Sequence, residues 1–222
     1  MAAMPELRER ANGGLHEALL EHLPAALPRN APILDVGCGS GAWLTRLSAH
    51  GFSNLTGIDY DIGQVVADVG RVERIDLNQS DWSPLAGRFA LITAIEVVEH
   101  IENFGVFFER LQHYLHDEGT ILMTTPNIGS VAARMRFLLL NQLKQFDSIG
   151  DPTHLTPVVL ATLPRLVARH GLRIADYWGF PSNGRTVTSR GWVNMLCASL
   201  RPLLPETVPG DNLCLRLVKA ER

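Results

Sequence analysis

Residues 33–42 have the sequence Ile33-Leu34-Asp35-Val36-Gly37-Cys38-Gly39-Ser40-Gly41-Ala42. The run from Ile33 to Val36 predicts a buried β-strand, and a helix is expected to begin near Ala42. Between them, three closely spaced glycines allow a tight turn and let a ligand approach the backbone where a Cβ would collide. The stretch therefore predicts a strand, a ligand-binding loop and a helix in direct succession.

Two acidic residues indicate which ligand this loop binds. Asp59 ends the second predicted strand, where a carboxylate can accept hydrogen bonds from both hydroxyls of a ribose. The loop alone also fits the pattern that binds a dinucleotide, so an NAD-dependent oxidoreductase is one hypothesis. Asp35 favours another, because a carboxylate at the mouth of the loop would repel a pyrophosphate and attract the cationic end of S-adenosylmethionine.

Strand-like and helical segments alternate along most of the chain, which predicts a parallel sheet covered on both faces. We expect one domain over residues 1–222, with an N-terminal helix within residues 1–30 and a helical insertion, or lid, at residues 127–156. The predicted strands are Ile33 to Val36, Leu55 to Asp59, Val72 to Leu77, Phe89 to Ile95, Gly119 to Thr125, Leu172 to Trp178 and Leu213 to Lys219. The later predicted helices are Ser130 to Phe146, Pro157 to His170 and Trp192 to Leu203.

Residues 30–127 resemble the class I S-adenosylmethionine-dependent methyltransferases, through the loop at 33–41, the Gly57-Ile58-Asp59-Tyr60 motif and Asp76-Leu77. The resemblance implies a Rossmann-like, doubly wound α/β fold with a seven-stranded, mostly parallel sheet that ends in an antiparallel strand pair. It also implies ribose binding by Asp59, adenine packing by Tyr60, Asp76 and Leu77 beside the adenine amino group, and Ile95 beside the cofactor. The cofactor-binding set is then Asp35, Gly37, Gly39, Gly41, Asp59, Tyr60, Asp76, Leu77 and Ile95.

A second motif, Glu96-Val97-Val98-Glu99-His100, directly follows the fourth predicted strand. On a helical turn its three polar side chains would share one face, which would look into the crevice at the carboxyl end of the sheet. Two carboxylates and an imidazole make a partial coordination shell for Mg²⁺ or a related ion, and His154 is a candidate fourth ligand.

The same motif resembles ubiquinone-pathway O-methyltransferases and methyltransferases that modify the terminal 2′-hydroxyl of small RNAs. The resemblance implies a metal that orients and acidifies the accepting hydroxyl. The alternative is that Glu96 and Glu99 hydrogen-bond backbone groups and no metal binds. His100 or His154 then remains a candidate general base, and we count Glu96 with them among the candidate catalytic residues.

These motifs predict methyl transfer to an oxygen of a small molecule, lipid precursor or sugar, although nitrogen and carbon acceptors and a non-catalytic cofactor-binding subunit stay open. The leucine-rich stretch Arg134 to Phe146 is interpreted first as a lid, with peripheral membrane contact or dimerisation as alternatives. The late loop could line the acceptor pocket with Trp178, Phe180, Asn183, Arg185 and Trp192.

The composition limits the partners and the compartment. A net charge of −3 over 222 residues makes bulk nucleic-acid binding unlikely on electrostatic grounds, and no apolar run is long enough to span a membrane. Cys38, Cys197 and Cys214 have neither disulfide nor zinc-site spacing, so we assign no catalytic cysteine. The first residues lack the features of a secretory signal, which predicts a cytoplasmic protein.

Overall fold

The structure is a computed structural model, and it describes residues 7–66, 68, 70–79, 81–148, 150–183, 191–200, 202 and 208–221. Arg185 and the side chain of Trp192, two of the expected acceptor-pocket groups, lie outside the described residues. Among the helices described, none combines the length and the hydrophobicity needed to cross a bilayer.

Seven strands form one mixed sheet in the order β3-β2-β1-β4-β5-β7-β6. Strands β1 to β5 are parallel, and β7 runs antiparallel to both of its neighbours, β5 and β6. This confirms the predicted Rossmann-like, doubly wound α/β fold with an antiparallel last strand. The strands are β1 Ile33–Val36, β2 Leu55–Asp59, β3 Arg71–Arg74, β4 Phe89–Ile95, β5 Leu115–Pro126, β6 Leu172–Phe180 and β7 Asn212–Lys219.

Helices cover both faces of the sheet. Successive residues of a strand point to opposite sides, so the apolar residues of β1 pack against helices on both faces. Leu34 and Val36 belong to one buried cluster with Phe107 and Phe108 of α3, whereas Ile33 packs with residues of α1 and α2 on the other face. The helices are α1 Leu15–Glu21, α2 Ala42–Ala49, α3 Phe104–Tyr114, α4 Val131–Leu140, α5 Leu163–Ala168 and α6 Gly191–Leu200, with 3₁₀ turns at Ile62–Gln64 and Val98–His100.

The strand order reverses between β1 and β4, which places a ligand crevice at the carboxyl ends of these strands. Strand β3 ends at Arg74, so Asp76 and Leu77 lie in the loop that follows it and not in the strand as predicted. This loop belongs to the same edge of the sheet. The crevice therefore has walls from the ends of β1, β2, β3 and β4.

The insertion contains less helix than predicted. Helix α4 ends at Leu140 because Asn141 adopts the left-handed conformation, with φ 52°, as its C-cap. Residues 157–162 are not helical, and α5 begins only at Leu163, with Pro164 in its first turn. A proline is accepted in the first turn of a helix because its missing N–H would have no intrahelical partner there.

Candidate active site

A cavity of about 870 Å³ opens at the carboxyl ends of β1, β2 and β4. It brings together residues from both sequence motifs, which are more than 30 positions apart along the chain. The expected site residues on its lining are Asp35, Gly37, Gly39, Asp59, Tyr60, Asp76, Leu77, Ile95, Glu96, His100 and His154. Gly41 and Glu99 do not line the cavity, since Gly41 is the N-cap of α2 and Glu99 is buried behind it.

The glycine loop requires glycine at two positions for different reasons. Gly37 has φ 71°, and a Cβ there would lie 2.6 Å from Cγ2 of Val97. Gly39 has φ 53°, and a Cβ there would meet no atom within 4 Å, so its open side is space that a ligand can fill. The loop thus presents bare backbone to the cavity.

Asp59 holds this loop in place from the end of β2. Its Oδ2 accepts a hydrogen bond from the nitrogen of Gly39 at 2.9 Å, and its Oδ1 accepts one from the nitrogen of Asp61 at 2.9 Å. A carboxylate has room for about four hydrogen bonds. Asp59 can therefore shape the loop and still accept bonds from ribose hydroxyls.

Asp35 was expected at the mouth of the glycine loop, but it is buried, with only 3% of its surface exposed. Burial raises the pKa of Asp35 to about 7. A hydrogen bond of 2.7 Å from the Thr93 hydroxyl opposes this shift because it favours the charged form, whereas the charge of Asp59 adds to the shift. The neutral form of this carboxyl is thus more favourable than that of an exposed aspartate. A cation bound in the cavity would favour its ionised form.

The side wall of the cavity is formed by the turns after β2 and β3. Tyr60 is 67% exposed, and the Arg74 guanidinium lies 5.8 Å from the centre of its ring while Arg74 Nε donates to the Tyr60 carbonyl. Asp76 accepts from the nitrogen of Asn78, whose own Oδ1 accepts from the nitrogen of Glu102 at 2.8 Å. An exposed aromatic ring beside fixed polar groups fits a planar base such as adenine.

Sequence reasoning missed the N-terminal strap, residues 7–14, which crosses the cavity. Ser40 Oγ of the glycine loop accepts from the nitrogen of Arg8 at 3.1 Å and donates to its carbonyl at 2.8 Å. At the other end, Asn12 Nδ2 donates to Oδ1 of Asn212 at 2.7 Å. These contacts join positions 32 and 200 residues apart, so no local pattern in the sequence marks them.

The predicted helical turn over Glu96 to His100 is wrong, and Glu96 does not share a face with the other two polar residues. Glu96 has φ 53°, and only Val98–His100 forms a 3₁₀ turn. Both the nitrogen and the carboxyl of Glu96 bond the hydroxyl of Thr124, at 3.0 and 2.8 Å. Burial raises the pKa of Glu96 to about 7.

Glu99, His100 and His154 do come together. One ligand atom from each lies within 4.8 Å of the others, and His154 Nε2 is 4.0 Å from Glu99 Oε1. Glu99 is fully buried, and neither of its carboxyl oxygens has a hydrogen-bond partner among the described residues. Burial, and next the charge of Glu96, raises the pKa of Glu99 well above its usual range.

Backbone carbonyls determine which ring nitrogen of His100 and His154 carries the proton. His100 Nδ1 lies 3.0 Å from the carbonyl of Thr153, and His154 Nδ1 lies 2.8 Å from that of Gln145. Because a carbonyl only accepts, each Nδ1 must carry the proton, and in the neutral imidazole each Nε2 keeps its lone pair. Burial lowers the pKa of His100, which favours this neutral form. Two imidazole lone pairs therefore lie near a buried carboxyl group.

The chain leaving the insertion is fastened to the 3₁₀ turn that carries Glu99. The carbonyl of Glu99 accepts from the nitrogens of Leu155 and Thr156 at 2.8 and 3.0 Å, and Thr156 Oγ1 donates to the carbonyl of Ile101 at 2.9 Å. These bonds explain why His154, 54 positions after His100, reaches the site.

The other expected acceptor-pocket residues lie elsewhere. Trp178 stacks on His22 with ring centres 3.8 Å apart, and Trp178 and Phe180 pack against the core. Neither they nor Asn183 line the cavity. The three cysteines are buried free thiols, and burial raises the pKa of Cys38, which leaves it unreactive.

Residues 7–177 match a protein-family model described as "Methyltransferase domain". The ubiquinone biosynthesis O-methyltransferase of Azorhizobium caulinodans is 31% identical over 102 residues, which are 43% of this chain and 40% of the relative. The enzyme of the same name from Nitrobacter winogradskyi is 28% identical over 164 residues, 66% of this chain and 58% of the relative. EEF1A lysine methyltransferase 2 of Danio rerio is 62% identical over 34 residues, 15% of each chain. The matches thus span less than two thirds of these relatives.

Solved structures show the same fold at low sequence identity. A SAM-dependent methyltransferase from Archaeoglobus fulgidus superimposes with a TM-score of 0.62 at 18% identity, covering 92% of both chains. Magnesium protoporphyrin IX methyltransferase from Synechocystis, solved with bound SAH, superimposes with a TM-score of 0.59 at 15% identity, covering 92% of this chain and 82% of that one. At these identities the likeness concerns the fold alone.

Proposed function

This chain belongs to the methyltransferase-domain family and has the fold of class I S-adenosylmethionine-dependent methyltransferases, and on that premise we propose that it methylates an oxygen acceptor with the help of a divalent cation. The observation that carries the proposal is the cluster of Glu99, His100 and His154, of which both histidines line the cofactor cavity. Two relatives named as ubiquinone biosynthesis O-methyltransferases match 43% and 66% of this chain.

The residues of the cavity fit S-adenosylmethionine. The open side of Gly39 leaves space for a ligand against the backbone, Asp59 has capacity for the ribose hydroxyls, and Tyr60 offers a face to the base. Asp35 would gain its charge beside the cationic end. When bound, the cofactor supplies a methyl group that its positive sulfur already activates. The chain itself has to orient an acceptor, exclude water and remove a proton.

A divalent cation fits Glu99, His100 and His154, because carboxylate oxygens and imidazole nitrogens are its usual ligands. The Glu99 carboxyl is buried with no hydrogen bond among the described residues, and each histidine keeps an Nε2 lone pair when neutral. Such an ion would orient the accepting hydroxyl and lower its pKa. Glu96 lies outside this cluster. We therefore assign it to the cavity wall beside the acceptor and not to the cation, although the sequence analysis counted it among the four candidate ligands.

A nitrogen that binds a cation cannot also remove a proton, so a histidine base belongs to the alternative in which no cation binds. In that alternative His100 and His154 are both candidates, because each Nδ1 donates to a carbonyl and each Nε2 remains an acceptor. His100 is the better candidate, since burial lowers its pKa and keeps it unprotonated at neutral pH.

The acceptor class is proposed as a small molecule, lipid precursor or sugar hydroxyl. Support for a lipophilic acceptor comes from the insertion, where Phe137, Leu138, Leu139 and Leu140 are 51–76% exposed. The strap and the insertion both contribute to the cavity lining. Family membership disfavours the NAD-dependent oxidoreductase, and turnover separates an enzyme from a cofactor-binding subunit.

The test is calorimetric titration of the purified protein with S-adenosylhomocysteine, NAD, Mg²⁺ and Mn²⁺. We expect saturable binding of S-adenosylhomocysteine and Mn²⁺, with Mn²⁺ binding lost in His100→Ala. The matched control is His113→Ala, which removes an exposed histidine of α3 that does not line the cavity. Binding of NAD in place of S-adenosylhomocysteine would overturn the proposal, and so would the absence of methyl transfer to any component of a broad metabolite extract.

A further inference from the structure

The carbonyl of Gln145 has an unusual backbone setting. Gln145 adopts the left-handed conformation, with φ 69°, which turns the following peptide relative to an extended or helical chain. Its carbonyl accepts from His154 Nδ1 at 2.8 Å. The orientation and tautomer of His154 therefore depend on where this one peptide lies.

An ion pair connects Lys144, the residue before Gln145, to the sheet. Lys144 Nζ lies 2.5 Å from Oδ1 of Asp211, and their side chains are 13% and 0% exposed. Asp211 directly precedes β7, and its carbonyl accepts from the nitrogen of Asn127 at the end of β5. The pair thus connects the insertion to the rigid carboxyl edge of the sheet, on which the rest of the site is built.

Gly150 packs against the same peptide from the other side. A Cβ on Gly150 would lie 2.6 Å from the carbonyl oxygen of Gln145 and 2.8 Å from its carbonyl carbon. Both neighbours are backbone atoms, so they cannot rotate away as a side chain would. Any larger residue at position 150 must displace the Gln145 carbonyl.

From these three contacts we infer that Lys144, Asp211 and Gly150 are positioning residues for His154: they place the Gln145 carbonyl so that His154 keeps its proton on Nδ1 and presents Nε2 to Glu99 and His100. This inference deepens the proposed function and rests on it for the identity of the ligand. Hydrogen-bond partners behind a metal-binding histidine commonly change metal affinity 10- to 100-fold when they are removed.

The decisive variant is Gly150→Ala, with Gly191→Ala as the matched control, because a Cβ on Gly191 meets no atom of the described residues within 4 Å. The first measurement is long-range ¹H–¹⁵N NMR of the histidine rings in metal-free protein, with the His154 signal assigned from His154→Ala. We expect Nδ1–H in the wild type and the control, and a shift toward the Nε2–H tautomer in Gly150→Ala. An unchanged tautomer in folded Gly150→Ala would overturn the inference.

The second measurement is Mn²⁺ affinity, with S-adenosylhomocysteine affinity as the check on the rest of the site. Gly150→Ala should weaken Mn²⁺ binding about 10-fold or more while S-adenosylhomocysteine binding stays within about twofold. If wild-type protein binds no Mn²⁺, the cation role in the proposed function fails, and the NMR result alone still decides this inference.

A second variant covers the case in which Gly150→Ala does not fold. Lys144→Met combined with Asp211→Asn removes both charges of the buried pair and approximately preserves the volume. It should shift the His154 tautomer in the same direction as Gly150→Ala. The single variant Asp211→Asn, which keeps Lys144, should not recover the wild-type tautomer. A double variant that folds and retains wild-type tautomer and Mn²⁺ affinity would overturn the role of the ion pair.

Discussion

The nitrogen of Gly39 donates to Oδ2 of Asp59 across 2.9 Å, which ties the glycine loop after β1 to the end of β2. The same carboxylate also fixes the turn that carries Tyr60 by accepting from the nitrogen of Asp61. One side chain therefore organises both the glycine loop and the turn that carries Tyr60.

We predict that Asp59→Ala lowers affinity for S-adenosylhomocysteine by on the order of 100-fold, because it removes the ribose acceptor and releases the loop. Calorimetry measures the effect. Asp59→Asn keeps one acceptor oxygen for Gly39 and should lose less. Equal losses in the two variants would show that the loop bond does not contribute.

Asp35 should make the cofactor-free protein less stable as the pH rises. Burial raises the pKa of Asp35 from 3.8 to about 7, so the folded state holds this proton more tightly than the unfolded state. The resulting stabilisation is fully present below about pH 4 and is lost between pH 4 and 7, by at most about 4 kcal/mol.

Asp35→Asn removes that dependence and retains an acceptor for the Thr93 hydroxyl. Relative to the wild type, its free energy of unfolding should rise from pH 4 to pH 8, as measured by urea titration at several pH values. Groups other than Asp35 titrate in both proteins and cancel in the difference. Parallel curves for the two proteins would contradict the prediction.

Glu99→Gln should weaken cation binding without lowering the stability of the cation-free protein. Both oxygens of Glu99 are buried without a hydrogen bond among the described residues, so burying this carboxyl group destabilises the cation-free protein. We expect the cation-free variant to be as stable as the wild type or more stable, by about 1 kcal/mol, while its Mn²⁺ affinity falls at least 10-fold.

Thermal melts with and without Mn²⁺ test this pair of effects. The wild type should gain stability on adding Mn²⁺, and Glu99→Gln should not. A Glu99→Gln protein that melts well below the wild type without metal would instead give Glu99 a purely structural role.

The exposed leucines of α4 are expected to contribute to contact with lipophilic molecules and not to folding. Leu138 and Leu139 are 76% and 70% exposed, so their replacement by Gln should change the free energy of unfolding by less than about 0.5 kcal/mol. Sedimentation with phosphatidylglycerol vesicles should show weaker association for this double variant than for the wild type. Equal association would exclude these side chains from a peripheral membrane contact.

Much of this molecule follows from local sequence. The apolar run Ile33–Val36 before three glycines predicts a strand, loop and helix by steric and hydrophobic rules that act over about ten residues. Asp59 could be placed because parallel strands end at the same edge of a sheet, and the strand alternation predicts that edge.

Local rules failed where one backbone angle or a distant contact decides the geometry. Spacing alone places Glu96 on a face with Glu99 and His100, but its left-handed φ and the Thr124 hydroxyl turn it away. The strap was missed for the same reason, because Ser40 and Asn212 hold it from far along the chain.

The fold class and the glycine loop follow from the sequence alone, because hydrophobic periodicity and glycine backbone freedom are local properties. That Glu99, His100 and His154 meet while Glu96 does not is visible only in the folded chain. The reason is that this meeting involves hydrogen bonds between segments more than 50 residues apart, such as the one from His100 Nδ1 to the carbonyl of Thr153. Such bonds form only after the sheet has brought those segments together.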